Sequence, residues 1–394
     1  MTPEDFQFLL TASSQQWLNE LGQTPITKHN HLQIITTLRR EFPAAHAQAL
    51  LETAVLRQQA SNKFSKAAQM YFTRPAMEQA TAEAVSHYRA QRFAQLGCKT
   101  IADLGCSIGG DALAFAEFAE VTGVDWDPVR LLMAQENVRA YGHGKRFHPL
   151  QADLLSLTPF LADAYFFDPA RRDERGRRFF SVHDYQPPLS LVDQWREQVA
   201  DTAVKISPGV DYDELPHDAE VEFISLNREV KEGVLWYGRF RSTQRRATLL
   251  PTNLSITTDD LPAELIPSTT PKAYLYEPDG AIIRAHLIEA IAPQLEANKI
   301  SDDIAYLTSD KEINTPLARC FAVQDYFPFQ LKQLRQYLRN HQIGEVTIKK
   351  RGSPLEPEQL KQQLRLKGNG DKACILFLTQ IMGKTAVIIG QEIK

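Results

Sequence analysis

The pattern of hydrophobic and polar positions begins with a helical period. Residues 1–70 are rich in Ala, Gln and Leu, and apolar side chains recur three or four residues apart, as at Leu50, Leu51 and Ala54. This spacing predicts helices that each bury one face. Pro43 interrupts the pattern and is predicted to begin a helix at its first turn. The first region is therefore expected to be all-helical.

From residue 71 onwards, short apolar segments alternate with amphipathic ones. The apolar segments predict buried strands over residues 99–105, 121–125, 164–168 and 202–207. The segments 111–120 and 127–142 predict helices between them. Strands and helices in this order favour a parallel sheet covered by helices on both faces. In such sheets ligands bind beyond the carboxyl ends of the strands, so the residues just after each strand are the candidates.

A third pattern follows a segment rich in Pro, Thr, Ser and Asp over residues 251–272, which predicts a linker. Beyond it, residues 327–341 and 357–367 predict helices and residues 344–350 a strand. The chain then predicts a hairpin that turns about Met382-Gly383. This region is expected to be a small α+β domain.

Composition narrows the class of protein. Hydrophobic residues make up 43% and charged residues 23% of the chain, which excludes a disordered, collagenous or disulfide-scaffold protein. The four cysteines show no CxxC spacing, so neither a zinc site nor a disulfide framework is expected. The first residues, MTPEDFQFLL, do not resemble a signal peptide, and no run of about 18 apolar residues could span a membrane. We therefore expect a soluble, cytoplasmic protein. The net charge of -4 means that any nucleic acid must bind through local basic patches.

The segment with the clearest chemistry is DLGCSIGGD, residues 103–111. Asp103 ends the first predicted strand, and a turn containing Gly105 and Gly109 leads directly into a helix. The glycine spacing matches neither GxGxxG nor GxxxxGK[ST]. Since a helix N-terminus favours anionic groups and Asp103 favours a cation, a ligand with both ammonium and carboxylate fits better than a pyrophosphate.

Two further acidic residues follow the next predicted strands. Asp125 lies twenty-two positions after Asp103, where a carboxylate can accept hydrogen bonds from the two hydroxyls of a ribose. Asp153 follows a third strand, where it can accept from an adenine amino group. The three positions suit an adenosine that carries an amino acid. The alternative is that they cap helices and turns at strand ends.

With these elements in order, residues 71–250 resemble a class I S-adenosylmethionine-dependent methyltransferase. Within that superfamily they are most similar to the trimethylguanosine-synthase-type RNA methyltransferases. The similar segments are FTRPAMEQATAEAV, DLGCSIGGDALAFA, GVDWDPVRLLMAQENVRAYG, QADLL and FFDPARR. The whole chain is similar to bacterial methyltransferases with a C-terminal THUMP-like domain. The resemblance implies an α/β fold with a Rossmann-like seven-stranded methyltransferase core over residues 71–260. A helical region over 1–70 and a THUMP-like α+β domain over 261–394 would flank it.

The resemblance implies that seven residues hold S-adenosylmethionine: Thr73, Asp103, Gly105, Gly109, Asp125, Trp126 and Asp153. Asp103 and the two glycines would hold the methionine part. Asp125 would take the ribose and Asp153 the adenine amino group. Trp126 is a candidate to pack on the adenine, and Thr73 lies where such families close over the methionine carboxylate.

The segment Asp168-Pro169-Ala170-Arg171 occupies the place of the family's (D/N/S)PP(Y/F/W) motif. The resemblance implies catalytic roles for Asp168, Pro169 and Arg171, with Asp168 accepting a hydrogen bond from the target nitrogen. Ala170 replaces the second proline and Arg171 the aromatic residue, so the usual stacking partner is missing. Arginine can itself stack on a base, or Phe179 or Phe180 could supply the ring.

Five arginines lie at the end of this motif or directly after it and would contact the phosphates of an RNA strand: Arg171, Arg172, Arg175, Arg177 and Arg178. A solvated loop with ordinary ion pairs is the alternative. Residues 239–246 and 349–351 are weaker basic clusters of the same kind. The segment from Lys205 to Asp211 follows the fifth predicted strand at the same rim of the sheet, where it could line the substrate pocket or form a simple turn.

The sequence thus predicts an S-adenosylmethionine-dependent methyltransferase that methylates a base nitrogen in RNA. A small-molecule or protein methyltransferase is one alternative. The other is a non-catalytic RNA-binding protein that retains the cofactor fold.

Overall fold

The computed structural model describes residues 1–170, 181–366 and 370–393. By its internal contacts the chain divides into two compact units. The first comprises Met1–Val221 and Glu232–Ser242, and the second comprises Glu222–Lys231 and Thr243–Lys394. The three-domain division near residues 70 and 260 stays a prediction.

The N-terminal part of the first unit is helical. Its helices are α1 (Pro3–Leu9), α2 (Ala12–Gly22), α3 (His31–Glu41) and α4 (Ala44–Ala60). Thr2 and Asp5 form a reciprocal capping box that starts α1. As predicted, α4 begins directly after Pro43. The other three helices pack against α4, which buries Leu50 and Leu51 completely.

Further along the first unit, helices alternate with the strands of a sheet. The helices are α5 (Arg74–Gln79), α6 (Glu83–Gln95), α7 (Ala112–Phe115), α8 (Pro128–Ala140) and α9 (Leu191–Arg196). The first five strands are β1 (Thr100–Leu104), β2 (Glu120–Asp125), β3 (Phe147–Gln151), β4 (Ala164–Phe167) and β5 (Thr202–Ile206). Four more strands follow along the chain. Strands β6 (Glu220–Leu226) and β7 (Glu229–Trp236) each have residues in both units, and β8 (Arg245–Leu250) and β9 (Leu254–Thr257) belong to the second.

The order of this nine-stranded sheet is β3-β2-β1-β4-β5-β7-β6-β8-β9. Strands β1 to β5 are parallel to their neighbours, and β7 runs antiparallel to β5. Asp103 of β1 lies opposite Gly123 of β2 and Phe166 of β4, so the three strands end at the same level. The residues that follow these strands therefore meet at one edge, as the predicted parallel sheet requires.

Two predicted elements differ in the structure. The helix predicted over 111–120 is confined to α7, because Glu120 pairs with Thr100 and begins β2. The predicted linker over 251–272 contains strand β9, which pairs antiparallel with β8. The polar, proline-rich composition of this segment did not predict a strand, because pairing with β8 stabilises β9 and its local propensity does not.

The second unit contains a seven-stranded sheet of order β11-β12-β10-β13-β16-β15-β14. These strands are β10 (Tyr274–Pro278), β11 (Asn298–Lys299), β12 (Leu307–Ser309), β13 (Ala318–Pro328), β14 (Ile343–Lys350), β15 (Lys372–Ile381) and β16 (Lys384–Glu392). Its helices are α10 (Gly280–Arg284), α11 (Ile288–Ile291), α12 (Leu331–Asn340) and α13 (Pro357–Leu364).

The predicted hairpin is confirmed. Ile381 pairs with Lys384 across a two-residue turn, and Met382 and Gly383 both have positive φ angles, of 46° and 77°. Two such residues give the turn whose twist matches that of the flanking strands. Helices α12 and α13 pack on the sheet through leucines, among them Leu338 and Leu360. The predicted α+β character of this region follows from these elements.

Candidate active site

The loop after β1 is tightly constrained by its neighbours. Gly105 and Gly109 have φ angles of 82° and 78°, which side chains other than glycine rarely adopt. A Cβ atom on Gly105 would lie 3.0 Å from the backbone oxygen of Asp168, and one on Gly109 would lie 3.1 Å from Ala134. The loop therefore lies directly against the end of β4 on one side and against α8 on the other.

Asp103 brings a buried carboxylate to this loop. The residue is only 1% exposed, and its Oδ2 has no hydrogen-bond partner within the described ranges. Burial raises the pKa of Asp103 well above its ordinary value, and the neighbouring charges of Asp111 and Asp168 raise it further. A buried acceptor without a partner is costly, so this carboxylate suits a ligand that brings a donor or a cation.

A buried ion-pair network lies beside Asp103. The guanidinium of Arg89 on α6 donates to Asp111 in the loop and to Glu232 on β7, and it stacks 4.4 Å from the ring centroid of Phe166. Burial disfavours the charge of Arg89, but the two carboxylates outweigh this effect and raise its pKa. Burial also raises the pKa of Glu232, although Arg89 opposes that rise.

A second cation, Lys205 on β5, extends the network to Asp168. Its Nζ lies 2.7 Å from Oδ2 of Asp168 and 2.8 Å from Oγ1 of Thr81, and that hydroxyl lies 3.3 Å from Oδ2 of Asp111. Within this cluster four carboxylates face two cations. The surplus of negative charge at the sheet edge favours a positively charged ligand.

Asp125 is held in a fixed orientation at the end of β2. Its Oδ2 accepts a hydrogen bond from the backbone N–H of Ser107 at 2.9 Å, and its Oδ1 accepts one from the N–H of Asp127 at 3.0 Å. Burial raises the pKa of Asp125, and these two hydrogen bonds oppose the rise. Each oxygen keeps a further lone pair, so the carboxylate can still accept from hydroxyl groups.

Thr73 lies at the N-cap of α5, where its Oγ1 accepts from the N–H of Ala76 at 3.3 Å. The segment before it is fixed by the buried Asn137 of α8. That side chain exchanges two hydrogen bonds with the backbone of Tyr71 and donates a third, of 2.8 Å, to the carbonyl of Ile108 in the glycine-rich loop. Asn137 thus keeps the approach to Thr73 close to the loop.

Trp126 and Asp153 are both exposed. Trp126 is 69% exposed although it directly follows the buried Asp125. Asp153 follows β3, and its Oδ1 accepts from the N–H of Leu155 at 2.9 Å. Both side chains are free to contact a ligand at this edge, and their assignment to the adenine stays a prediction.

The motif after β4 is only partly within the described residues. Pro169 is buried, and Ala170 exchanges two backbone hydrogen bonds with Gln186. Phe179, Phe180 and the five arginines predicted to contact RNA lie outside the described residues: Arg171, Arg172, Arg175, Arg177 and Arg178.

The two weaker basic clusters make contacts within the chain. Arg239 forms a 2.6 Å ion pair with Asp201. In the second unit Lys350 lies 2.6 Å from Glu356, and Arg351 donates to the carbonyl of Ala305 at 3.0 Å. These contacts favour a structural role for both clusters.

Cys106 is buried within the loop. Burial raises the pKa of its thiol well above the ordinary value, and the nearby carboxylates of Asp103 and Asp125 raise it further. A thiol held in its neutral form is a poor nucleophile, so Cys106 serves as a small packing residue.

Four residues of this site were not predicted from the sequence: Thr81, Arg89, Asn137 and Glu232. A lysine inside the apolar strand TAVKIS was a signal that Lys205 has a buried partner. Nothing comparable marked Arg89, because a helix such as α6 commonly carries arginines on its exposed face.

A protein of Mycobacterium tuberculosis, found in two strains and described as an uncharacterized S-adenosylmethionine-dependent methyltransferase, is 35% identical over 344 residues. The match covers 83% of this chain and 91% of the mycobacterial protein. This chain belongs to the S-adenosylmethionine-dependent methyltransferases. S-adenosylmethionine is therefore its cofactor.

Family models match three parts of this methyltransferase. Residues 98–212 match the RNA cap guanine-N2 methyltransferase family, residues 318–392 the THUMP domain-like family, and residues 2–60 a domain of unknown function. A crystal structure of a proposed methyltransferase from Porphyromonas gingivalis W83 is similar with a TM-score of 0.71 and 19% identity. The match covers 94% of this chain and the whole of the Porphyromonas chain, and it supports the α/β fold described above.

The residues present fit this cofactor. S-adenosylmethionine carries an ammonium and a sulfonium cation, and the site offers the orphaned Oδ2 of Asp103 within a cluster that has an excess of carboxylates. Across the described ranges, no group of three or more His, Cys, Asp and Glu side chains could hold a metal ion. No helix among the described residues is long and apolar enough to cross a membrane.

Proposed function

We propose that this methyltransferase methylates an amino nitrogen of an RNA base, with Asp168 as the hydrogen-bond acceptor for that nitrogen. The observation that carries the proposal is the position of Asp168. It directly follows β4 at the edge where the loops after β1 and β2 meet, and its side chain stays 25% exposed within an otherwise buried network. An acceptor at this place can reach a nucleophile beside the bound cofactor.

The seven residues assigned from the sequence would divide the cofactor between them. Asp103, with the backbone at Gly105 and Gly109, would hold the methionine part, and Asp125 the ribose hydroxyls. Trp126 would pack on the adenine. In the same scheme Asp153 accepts from the adenine amino group and Thr73 closes over the methionine carboxylate.

When bound, S-adenosylmethionine supplies a methyl group activated by the positive charge of its sulfur. The chain would contribute alignment: the carboxylate of Asp168 would accept a hydrogen bond from an N–H group of the target amine, so that the lone pair of that nitrogen faces the methyl carbon. The nitrogen–carbon bond would form as the sulfur–carbon bond breaks, with the electron pair of that bond left on the cofactor. The surplus proton on nitrogen would then pass to water.

The RNA part of the proposal is supported by two matches, to the RNA cap guanine-N2 methyltransferase family and to the THUMP domain-like family. Pro169 and the five arginines at 171–178 would position the RNA beside Asp168, and Arg171 would stack on the target base. The cytoplasmic location stays a prediction.

The test is transfer of labelled methyl groups into fractionated cell extract from a strain that lacks the gene. We expect label in the RNA fraction and little in the protein and metabolite fractions. Label confined to protein or metabolites would overturn the RNA substrate and support the corresponding alternative. If calorimetry shows S-adenosylmethionine binding but no fraction is labelled, a non-catalytic RNA-binding protein becomes the better interpretation.

The role of Asp168 is tested by Asp168→Ala. Loss of the acceptor is expected to lower the transfer rate by about 10²–10⁴-fold, the range for a positioned polar group. S-adenosylmethionine affinity should change far less. Asp193→Ala is the matched control, because that carboxylate is 78% exposed and pairs only loosely with Arg196 at 3.5 Å. Full activity of Asp168→Ala would show that the acceptor assignment is wrong.

A further inference from the structure

Lys205 is a lysine in the middle of a buried strand. Its side chain is 2% exposed, and its strand β5 lies between β4 and β7. Removing an ammonium group from water costs several kcal/mol unless it gains strong partners. A methionine or leucine would fill the same space without this cost, so the cation itself needs an explanation.

The contacts of Lys205 point to Asp168. Its Nζ donates to Oδ2 of Asp168 at 2.7 Å and to Oγ1 of Thr81 at 2.8 Å. The Thr81 hydroxyl accepts from Lys205 and donates to Asp111, 3.3 Å away. The ammonium is therefore fixed between the segment before α6 and the end of β4.

This arrangement constrains one oxygen of Asp168. Oδ2 is occupied by Lys205, whereas no donor among the described residues contacts Oδ1. The side chain of Asp168 is 25% exposed, and the buried ammonium of Lys205 fixes the orientation of its carboxylate. A carboxylate held in this way loses the torsional freedom that an exposed aspartate would have.

We infer that Lys205 is a positioning residue for methyl transfer, which holds Asp168 so that Oδ1 faces the target amine, with Thr81 as the anchor of the ammonium. This inference rests on the proposed function, because it assumes that Asp168 is the acceptor. Lys205 itself contacts neither the cofactor nor the substrate in this scheme; it acts through Asp168.

The experiment is a double-mutant cycle on Lys205→Met and Asp168→Asn, measured as methyl transfer to whichever extract fraction the wild-type protein labels. Lys205→Met is expected to lower kcat by about 100-fold, the effect of misplacing a reacting group by about 1 Å. If Lys205 acts through Asp168, adding Lys205→Met to Asp168→Asn should lower the rate by less than about threefold. Independent roles would instead multiply the two losses.

Two further measurements separate positioning from structural support. Calorimetry with S-adenosylmethionine should give a Kd within about threefold of wild type for Lys205→Met, since the carboxylate surplus that attracts the cofactor remains. A purely structural role would weaken cofactor binding and lower Tm together with the rate. Thr81→Val keeps the Lys205–Asp168 pair and removes only the anchor, so an intermediate loss of about 3–10-fold is expected.

Lys231→Met is the matched control, because that lysine pairs with Glu229 at the surface, and its rate should equal that of wild type. A wild-type rate for Lys205→Met, or losses that multiply in the cycle, would overturn the inference. Label in protein or metabolites alone would overturn the RNA proposal, while the cycle on that fraction would still decide the role of Lys205.

Discussion

The edge of the first sheet buries Asp103, Arg89 and Lys205, whereas the core of the second sheet is formed by leucine, isoleucine, valine and phenylalanine side chains around α12 and α13. In the second unit the pair Lys350–Glu356 lies near the surface, and the more buried pair Lys299–Glu289 still leaves Glu289 27% exposed. Burying charge is costly, and apolar packing would stabilise the first region at least as well. The contrast indicates that the first region gives up stability for a ligand site, while the second is built for stability.

The largest expected effect comes from breaking the buried network. Arg89→Met leaves Asp111 and Glu232 buried without their cation, so we expect the free energy of unfolding to fall by about 3–5 kcal/mol. Urea unfolding measures this loss. The control is Arg139→Met, which removes a surface pair with Glu136 and should change the unfolding free energy by less than about 0.5 kcal/mol. If the two variants lose equal stability, the buried network is not the special feature of this region.

A smaller effect, with the opposite sign, is expected at Asp103. The pKa of Asp103 is raised in the folded protein. The contribution of Asp103 to the free energy of unfolding is therefore complete below the unfolded pKa, near 3.8, and is lost as the pH rises through the folded pKa. Asp103→Asn cannot ionise and should therefore be more stable than wild type by roughly 0.5–2 kcal/mol at pH 8, but not at pH 4. Its affinity for S-adenosylmethionine should fall.

Thermal unfolding of the cofactor-free protein at the two pH values tests this prediction. A difference in Tm that does not change with pH would contradict it, because the effect would then not come from ionisation of Asp103.

The smallest effect is expected in the second unit. Lys350→Ala removes an ion pair whose partner Glu356 is 58% exposed, and the unfolding free energy should change by less than about 0.5 kcal/mol. Since the ammonium of Lys350 is already paired with Glu356, the salt dependence of the variant's binding to total RNA should match that of wild type. If the slope of log affinity against log salt concentration became smaller by about one, Lys350 would be shown to contact a phosphate.

The sequence was informative where local pattern and strand-end chemistry agree. The strands at 100–104, 120–125 and 164–167 lie where the apolar segments predicted them, because buried parallel strands are apolar throughout. Asp103 and Asp125 were found because an acidic residue at the end of such an apolar strand is conspicuous. The segment 251–272 was less informative, because the pairing of β9 with β8 depends on a partner strand rather than on its own composition.

By itself, then, the sequence determined the alternation of strands and helices, the glycine-rich loop and the identity of the acids at the sheet edge. Only the tertiary structure decided that Lys205 meets Asp168 and that Arg89 joins Asp111 to Glu232. Arg89 and Glu232 are 143 positions apart in the chain. The physical reason is that a charged side chain can be buried only where folding supplies its partners, and local sequence carries no record of partners that distant.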